Sequence, residues 1–286
     1  MSYLILPRGQ RERIWSPLPE LVNEEKFRTL RPGGSEFKLK AEQVVDWTDF
    51  TAEVKRLVTP FCGANHAFTP VIPSENFGVA NEIGVQGRFV QNALHPVGEI
   101  LNLLRIGVAF GDSQFGVNRV QDDKKKKRGH AERQTGKKPT TLVPDIVLVE
   151  RQTHAIRALA EVKTYWAFLP KLKQTWDEFI ADKLGQLARY MDDHFCRFGF
   201  YTIYENTWFV KRVDDTHFAV SEAISSSAKS TASDVSLREC LLATAIRAAD
   251  KKGSYYGVRY GKKLTEEGHT FTRISARAAK FRKTYH

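Results

Sequence analysis

The chain has 286 residues, of which 42% are hydrophobic and 27% are charged, and its formal net charge is +11 at pH 7. This length and apolar content predict one decorated α/β domain with a real core. There is no apolar run of about 18 residues and no charged-then-apolar leader. The three cysteines are too few for a disulfide framework, so we expect a soluble, intracellular protein without a membrane partner.

The positive charge is concentrated in two segments. Residues 119–138 hold nine Lys and Arg against three Asp and Glu, and residues 251–286 hold ten against two. The remaining chain carries 25 basic and 28 acidic residues. Two basic segments on a near-neutral body favour a polyanionic partner, because Lys and Arg release the counterions condensed on nucleic acid. Solvated charge runs are the alternative interpretation of each segment taken alone.

The first 77 residues are predicted to form a helical N-terminal extension. Apolar residues at helical spacing predict one helix over residues 18–27 and another over residues 44–58. Prolines interrupt this pattern in residues 60–76, which we therefore expect to be a connector.

From residue 78 onward the pattern predicts an α/β core. The predicted elements, in order, are a helix from Glu82 to Ala93 continuing after Pro96, a strand over 105–110, strands over 142–149 and 156–165, a helix over 173–194, and a strand pair over 198–204 and 207–213. The order helix, three strands, helix, strand is an α/β sandwich plan.

The C-terminal part is predicted to be a third segment. Residues 221–233 are rich in Ser and Ala and indicate a linker, and Ser236 with Glu239 forms a capping-box pattern that opens a helix. The predicted parts are thus residues 1–77, an α/β core over 78–221 with a basic loop at 119–141, and a linker, helix and basic tail over 222–286.

Two acid-bearing stretches carry the strongest chemical signal. Asp145 follows Pro144 at the start of one predicted strand, and Glu161 and Lys163 lie in the next. A buried strand normally excludes unpaired charge, because desolvating an ion is costly. Asp145 and Glu161 are each eight residues from Thr153, so a symmetrical hairpin places them opposite each other. Lys163 then shares the face of Glu161.

Opposed carboxylates on neighbouring strands suit a magnesium ion, which prefers hard oxygen ligands. We expect Asp145 and Glu161 to hold Mg²⁺, with Mn²⁺ able to substitute, and the metal to activate water for phosphodiester hydrolysis. Lys163 would orient or deprotonate that water, or offset charge in the transition state. A turn aspartate and an exposed Glu-Lys pair are the alternative interpretation.

These residues resemble the motif of the PD-(D/E)XK nuclease superfamily, which is met here by Pro144, Asp145, Glu161, Val162 and Lys163. The resemblance covers about residues 78–213. It implies a restriction-endonuclease-like αβββαβ core with a mixed sheet flanked by helices. The resemblance does not explain the N-terminal helical extension or the C-terminal basic extension, which are predicted from the sequence pattern alone. It also implies a metal-dependent nuclease, with DNA favoured over RNA.

The flanking helices extend the resemblance. Asn81-Glu82 is similar to the acidic element of the superfamily's first helix, and it also resembles nuclease-like domains of many fungal proteins. Gln186 and Tyr190 match the Gln-x-x-x-Tyr element of the RecB-type branch. By resemblance, Glu82 would help hold the metal or its water, Gln186 would bond to the carboxylates or a water, and Tyr190 would line the substrate groove. Glu99 is a competitor for the role of Glu82.

The resemblance therefore implies two overlapping sets of residues. The catalytic set is Glu82, Asp145, Glu161, Lys163 and Gln186, and the metal set is Asp145, Glu161, Val162 and Glu82. A nuclease-fold module that binds nucleic acid or a protein without turnover is the alternative function. The terminal extensions are candidate surfaces for a protein partner or for a second copy of the chain.

The basic loop is predicted to bind nucleic acid beside the site. Its candidate contacts, in addition to Tyr190, are Lys124, Lys125, Lys126, Lys127, Arg128, Lys137 and Lys138. The last two lie within roughly 25 Å of extended chain from Asp145. Residues 124–128 also fit a short nuclear-import signal, so the nucleus is the expected location if that signal is used and the cytoplasm otherwise.

Deleting residues 121–138 is expected to weaken nucleic-acid binding and to flatten its salt dependence, because fewer counterions would be released. Fluorescence anisotropy with labelled DNA over a series of salt concentrations measures both quantities. An unchanged affinity and salt slope would contradict the predicted clamp.

Overall fold

The computed structural model describes residues 5–29, 39–64, 68–116, 143–170 and 173–256. The basic loop residues predicted to contact nucleic acid, Lys124 to Arg128 with Lys137 and Lys138, lie outside these ranges, as does the basic tail from residue 257.

Within the described residues, helices and strands alternate through most of the chain. The α-helices are α1 (Arg8–Trp15), α2 (Phe50–Cys62), α3 (Glu82–Phe89), α4 (His95–Leu103), α5 (Trp176–Asp193) and α6 (Leu237–Ala249). The strands are β1 (Val44–Asp46), β2 (Val108–Gly111), β3 (Ile146–Glu150), β4 (Ile156–Val162), β5 (Phe198–Thr202), β6 (Asn206–Arg212), β7 (Phe218–Val220) and β8 (Ile224–Ser225).

The strands form one mixed sheet with the order β1-β7-β6-β5-β4-β3-β2, and β8 pairs with β6. The pairs β4–β5 and β1–β7 are parallel, and the other pairs are antiparallel. A parallel pair needs a connection that crosses one face of the sheet, and α5 provides it between β4 and β5. The predicted α/β class, with a mixed sheet flanked by helices, is confirmed.

Helices cover both faces of this sheet. One apolar cluster joins α2, α3, α4 and α6 to one face, and a second joins α5 to the other. Successive residues of β3 alternate between the clusters, with Ile146 in the first and Val147 in the second, because side chains alternate along a strand. No helix among the described residues is both long and apolar enough to cross a membrane.

The N-terminal part differs from its predicted helices. Residues 18–27 hold only a 3-10 turn at Glu25–Phe27, since Pro17 and Pro19 disfavour a helix at their start. The stretch predicted as a helix from residue 44 begins with β1, and α2 continues through Pro60 to Cys62. The connector predicted from the prolines at residues 60–76 therefore begins later, after Cys62.

The Ser- and Ala-rich stretch over 221–233 is part of the packed fold rather than a linker. It contains β8, and the Ser230 N–H donates to the Trp15 carbonyl over 2.9 Å. Ser230 is buried, and its small side chain allows this close approach to the N-terminal segment. The helix that follows, α6, then lies in the main core instead of forming an appendage.

Arg238 on α6 ties distant parts of the chain together. Its guanidinium donates to the Asn92 carbonyl over 2.9 and 2.7 Å. It also donates to the carbonyls of Arg13, Ser16 and Pro17. Asn92 lies in the π-helical turn Val90–Leu94 between α3 and α4. Burial lowers the pKa of Arg238 to about 10. The hydrogen bonds to backbone carbonyls offset the cost of burying this cation.

Replacing Arg238 with Met should lower the free energy of unfolding by about 3 kcal/mol, because buried carbonyls would lose their donors. Urea unfolding followed by tryptophan fluorescence measures the change. The matched control is Arg8→Met, an exposed position expected to shift stability by less than about 0.5 kcal/mol. Equal stability of the two variants would contradict the structural role of Arg238.

Candidate active site

The β3–β4 hairpin brings the two predicted carboxylates together. Ile146 pairs with Ala160, so the next residue along each strand places Asp145 beside Glu161. The predicted register holds from Ile146 to Leu148, although a bulge after Leu148 breaks the symmetry of the hairpin near its turn. The Asp145 Oδ2 atom accepts a hydrogen bond from the Val162 N–H over 2.8 Å, which fixes the carboxylate against β4.

Lys163 connects this hairpin to α3. Its Nζ atom lies 2.5 Å from Glu161 Oε1 and 3.1 Å from Glu82 Oε1. Glu82 is the first residue of α3, which begins there because the Asn81 side chain caps the helix by accepting from the Gly84 N–H. Three of the residues predicted from sequence, Glu82, Glu161 and Lys163, are therefore in direct contact.

Glu99, the competing candidate for the helical acid, belongs to another interaction. Its Oε2 atom lies 2.5 Å from Arg13 Nη1, which joins α4 to α1. Of the two candidates, Glu82 is the one that contacts Lys163.

The site is buried at Glu161 and more open at Glu82. The side chains of Glu161, Lys163 and Glu82 are 1%, 19% and 42% exposed. Burial, and then the neighbouring Asp145 carboxylate, raise the pKa of Glu161 to about 8. Burial also raises the pKa of Asp145. The cluster thus holds more carboxylate than its single lysine neutralises.

Lys163 remains an ammonium in this setting. Burial acts to lower its pKa, but the carboxylates of Glu161 and Asp145 outweigh that effect and raise the pKa above its usual range. Lys163 is therefore positively charged at neutral pH, and it is suited to stabilising negative charge rather than to accepting a proton.

Asp145 and Glu161 are compatible with a magnesium ion, although the predicted four-residue metal set is not gathered as one group. Among the described residues, no three His, Cys, Asp or Glu side chains are placed to hold a metal together. Glu82 is paired with Lys163 instead. The Glu161 Oε2 atom is buried and has no hydrogen-bond partner among the residues that the structure describes. Magnesium needs only one or two carboxylates besides water and phosphate oxygens.

Tyr190 is placed differently from the prediction, whereas the predicted bond of Gln186 to a water stays a prediction. The Gln186 amide nitrogen donates to Tyr190 Oη over 2.7 Å rather than to a site carboxylate. Tyr190 is 1% exposed, so it does not line an open groove. Its hydroxyl donates to the Val143 carbonyl over 3.1 Å, because α5 packs this side chain against the sheet. Burial raises the pKa of Tyr190 to about 12.

Two further residues near the site were not predicted. The Gln86 amide donates to the Asp145 carbonyl over 2.9 Å. Gln86 lies four residues after Glu82 and so shares its helix face, which would have been enough to predict that Gln86 lies near the site. Arg28 donates to Tyr165 Oη over 2.7 Å and stacks over the Tyr165 ring. Tyr165 lies two residues after Lys163 in the sequence. No local pattern indicates that contact, since it joins residues 137 positions apart.

Comparisons with protein-family models, curated proteins and solved structures gave no match for this chain.

The pKa of Glu161 gives a testable pH dependence. In the folded protein this pKa is about 8, against about 4.3 in an unfolded chain. Between these two pH values the folded state binds one proton at Glu161 that the unfolded state has lost. Stability should therefore fall as pH rises through this window. Glu161→Gln removes the titration, so the variant should gain stability relative to wild type from about pH 5 to about pH 8.5.

Urea unfolding at several pH values measures this difference. Glu20→Gln, at an exposed position, is the matched control and should show a flat difference from wild type. A Glu161→Gln difference that is equally flat would contradict the raised pKa.

Proposed function

We propose that this protein is a divalent-metal-dependent nuclease that hydrolyses phosphodiester bonds, with DNA as the favoured substrate. The observation that carries the proposal is the meeting of Asp145, Glu161, Lys163 and Glu82 at the end of the β3–β4 hairpin. The element order α3-α4-β2-β3-β4-α5-β5 supports it, because the PD-(D/E)XK resemblance implies the same order of helices and strands.

Asp145 and Glu161 are the residues that would hold Mg²⁺. When bound, the ion would lower the pKa of a coordinated water and polarise a phosphoryl oxygen. The Val162 N–H keeps the Asp145 carboxylate in place. The buried Glu161 oxygen that has no hydrogen-bond partner among the described residues would coordinate the cation. The positive charge of the cation would offset the cost of burying this carboxylate.

Lys163 would supply fixed positive charge to the reacting phosphate. As an ammonium it would stabilise the negative charge that grows on the phosphate oxygens during water attack. Glu82 would hold this ammonium from the more exposed side of the cluster. The role of base, which the sequence left open for Lys163, is disfavoured by its raised pKa.

The charge distribution supports a polyanionic substrate. Without a metal, the positive charge of Lys163 is already paired with Glu161 and Glu82, so little of it remains to attract a phosphodiester. The basic segments 119–138 and 251–286 carry most of the charge that attracts nucleic acid. Divalent metal would therefore be needed for productive binding at the site as well as for chemistry.

A nuclease-fold module that binds nucleic acid without cleaving it is the second candidate. The observation that favours it is the ion pairing of Lys163 with both Glu161 and Glu82, which leaves the cluster partly neutralised by its own residues. Binding without cleavage by the wild-type protein would support this candidate.

Asp145→Asn, Glu161→Gln and Lys163→Met should each lower the cleavage rate by about 100-fold or more, because each removes a ligand or the fixed charge. The assay uses circular, linear and single-stranded DNA and RNA, with Mg²⁺, with Mn²⁺ or with chelator. Glu20→Gln is the matched control and should cleave like wild type. Cleavage that survives chelation, or that survives all three substitutions, would refute the mechanism.

A further inference from the structure

The backbone that carries Asp145 is held from both faces of the sheet. From α3, the Gln86 amide donates to the Asp145 carbonyl over 2.9 Å. From α5, the Tyr190 hydroxyl donates to the Val143 carbonyl over 3.1 Å. These helices belong to the two apolar clusters that cover opposite faces of the sheet. We propose that Gln86 and Tyr190 form a two-sided clamp that positions the Asp145 carboxylate for metal binding, an inference that rests on the proposed function.

Asp145 needs such a clamp because it lies just before the hydrogen-bonded ladder. The first pair of the β3–β4 ladder is Ile146 with Ala160. Asp145 instead uses its side chain to accept from the Val162 N–H. Its own carbonyl accepts from Gln86 of α3, and no backbone N–H of the described residues outside the regular ladders donates to it. The position of the carboxylate therefore depends on side chains from neighbouring helices.

Gln186 sets the direction of the Tyr190 hydroxyl. Its amide N–H donates to Tyr190 Oη over 2.7 Å, so the hydroxyl proton is directed toward the Val143 carbonyl. Val143 itself is 49% exposed, so loss of this hydroxyl would let water take its place on the carbonyl and would release the backbone before Asp145 from α5. The Gln-x-x-x-Tyr element of this chain thus contacts the backbone carbonyl of Val143, two residues before Asp145, and influences the site through the backbone rather than through contact with the carboxylates.

On α3, Gln86 works together with Glu82. The two residues are one helical turn apart, and Glu82 bonds Lys163 while Gln86 bonds the Asp145 backbone. A single helix therefore positions the fixed cation and one of the two metal-binding carboxylates. Residues that orient metal ligands in this way typically change metal affinity about 10- to 100-fold when substituted.

The test uses the full chain with Gln86→Met and Tyr190→Phe, which keep side-chain size and remove the donor. Gln91→Met is the matched control, because Gln91 is exposed on the following π-helical turn. Mn²⁺ binding is measured by electron paramagnetic resonance without nucleic acid, together with the melting temperature and with cleavage over a series of Mn²⁺ concentrations.

Each clamp variant should bind Mn²⁺ about 10- to 100-fold more weakly than wild type, and most of its cleavage rate should return at saturating Mn²⁺. Gln86→Met should melt close to the temperature of Gln91→Met, whereas Tyr190→Phe should melt a few degrees lower, because the buried Tyr190 hydroxyl bonds both Gln186 and Val143. Clamp variants that bind Mn²⁺ as tightly as Gln91→Met, whether or not they melt earlier, overturn the clamp while the proposed function stands. A wild-type protein that neither binds Mn²⁺ nor cleaves nucleic acid overturns the proposed function and the clamp with it.

Discussion

The candidate site is built around a carboxylate buried in a central strand. Glu161 lies in β4, which has β3 on one side and β5 on the other, and it is 1% exposed. Folding takes this group out of water, and the desolvation cost of its charged form is large. Lys163 compensates through one oxygen, but the other oxygen is buried and has no hydrogen-bond partner in the described part of the chain. A fold that keeps such a group at the edge of a partly open cluster is suited to binding a cation there.

The rest of the architecture holds the surroundings of Glu161 in place. The hairpin register brings Asp145 beside it, α3 supplies Glu82 and Gln86, and α5 supplies Tyr190. Helix α6 is far from the hairpin in sequence, yet Arg238 joins it to the π-helical turn between α3 and α4. The position of α3 is thus fixed by its connection to the main core, and this connection also fixes the site residues on α3.

Sequence patterns predicted the centre of the site better than its supports. Asp145, Glu161 and Lys163 could be found because charges in apolar strands are conspicuous, and because strand periodicity and a short turn fix a hairpin register. Glu82 followed from a family resemblance. The role of Tyr190 also came from the resemblance and was wrong, because a family motif does not show how deeply this helix packs its side chain against the sheet. The roles of Arg238 and of residues 221–233 depend on long-range packing, which local propensity does not encode.

Whether Asp145 and Glu161 hold a metal can be measured by anomalous X-ray diffraction from crystals of the wild-type protein soaked in Mn²⁺. We expect an anomalous peak within bonding distance of carboxylate oxygens from both Asp145 and Glu161. Crystals that show no peak at these carboxylates at saturating Mn²⁺, with Lys163 still bridging Glu161 and Glu82, would contradict this expectation.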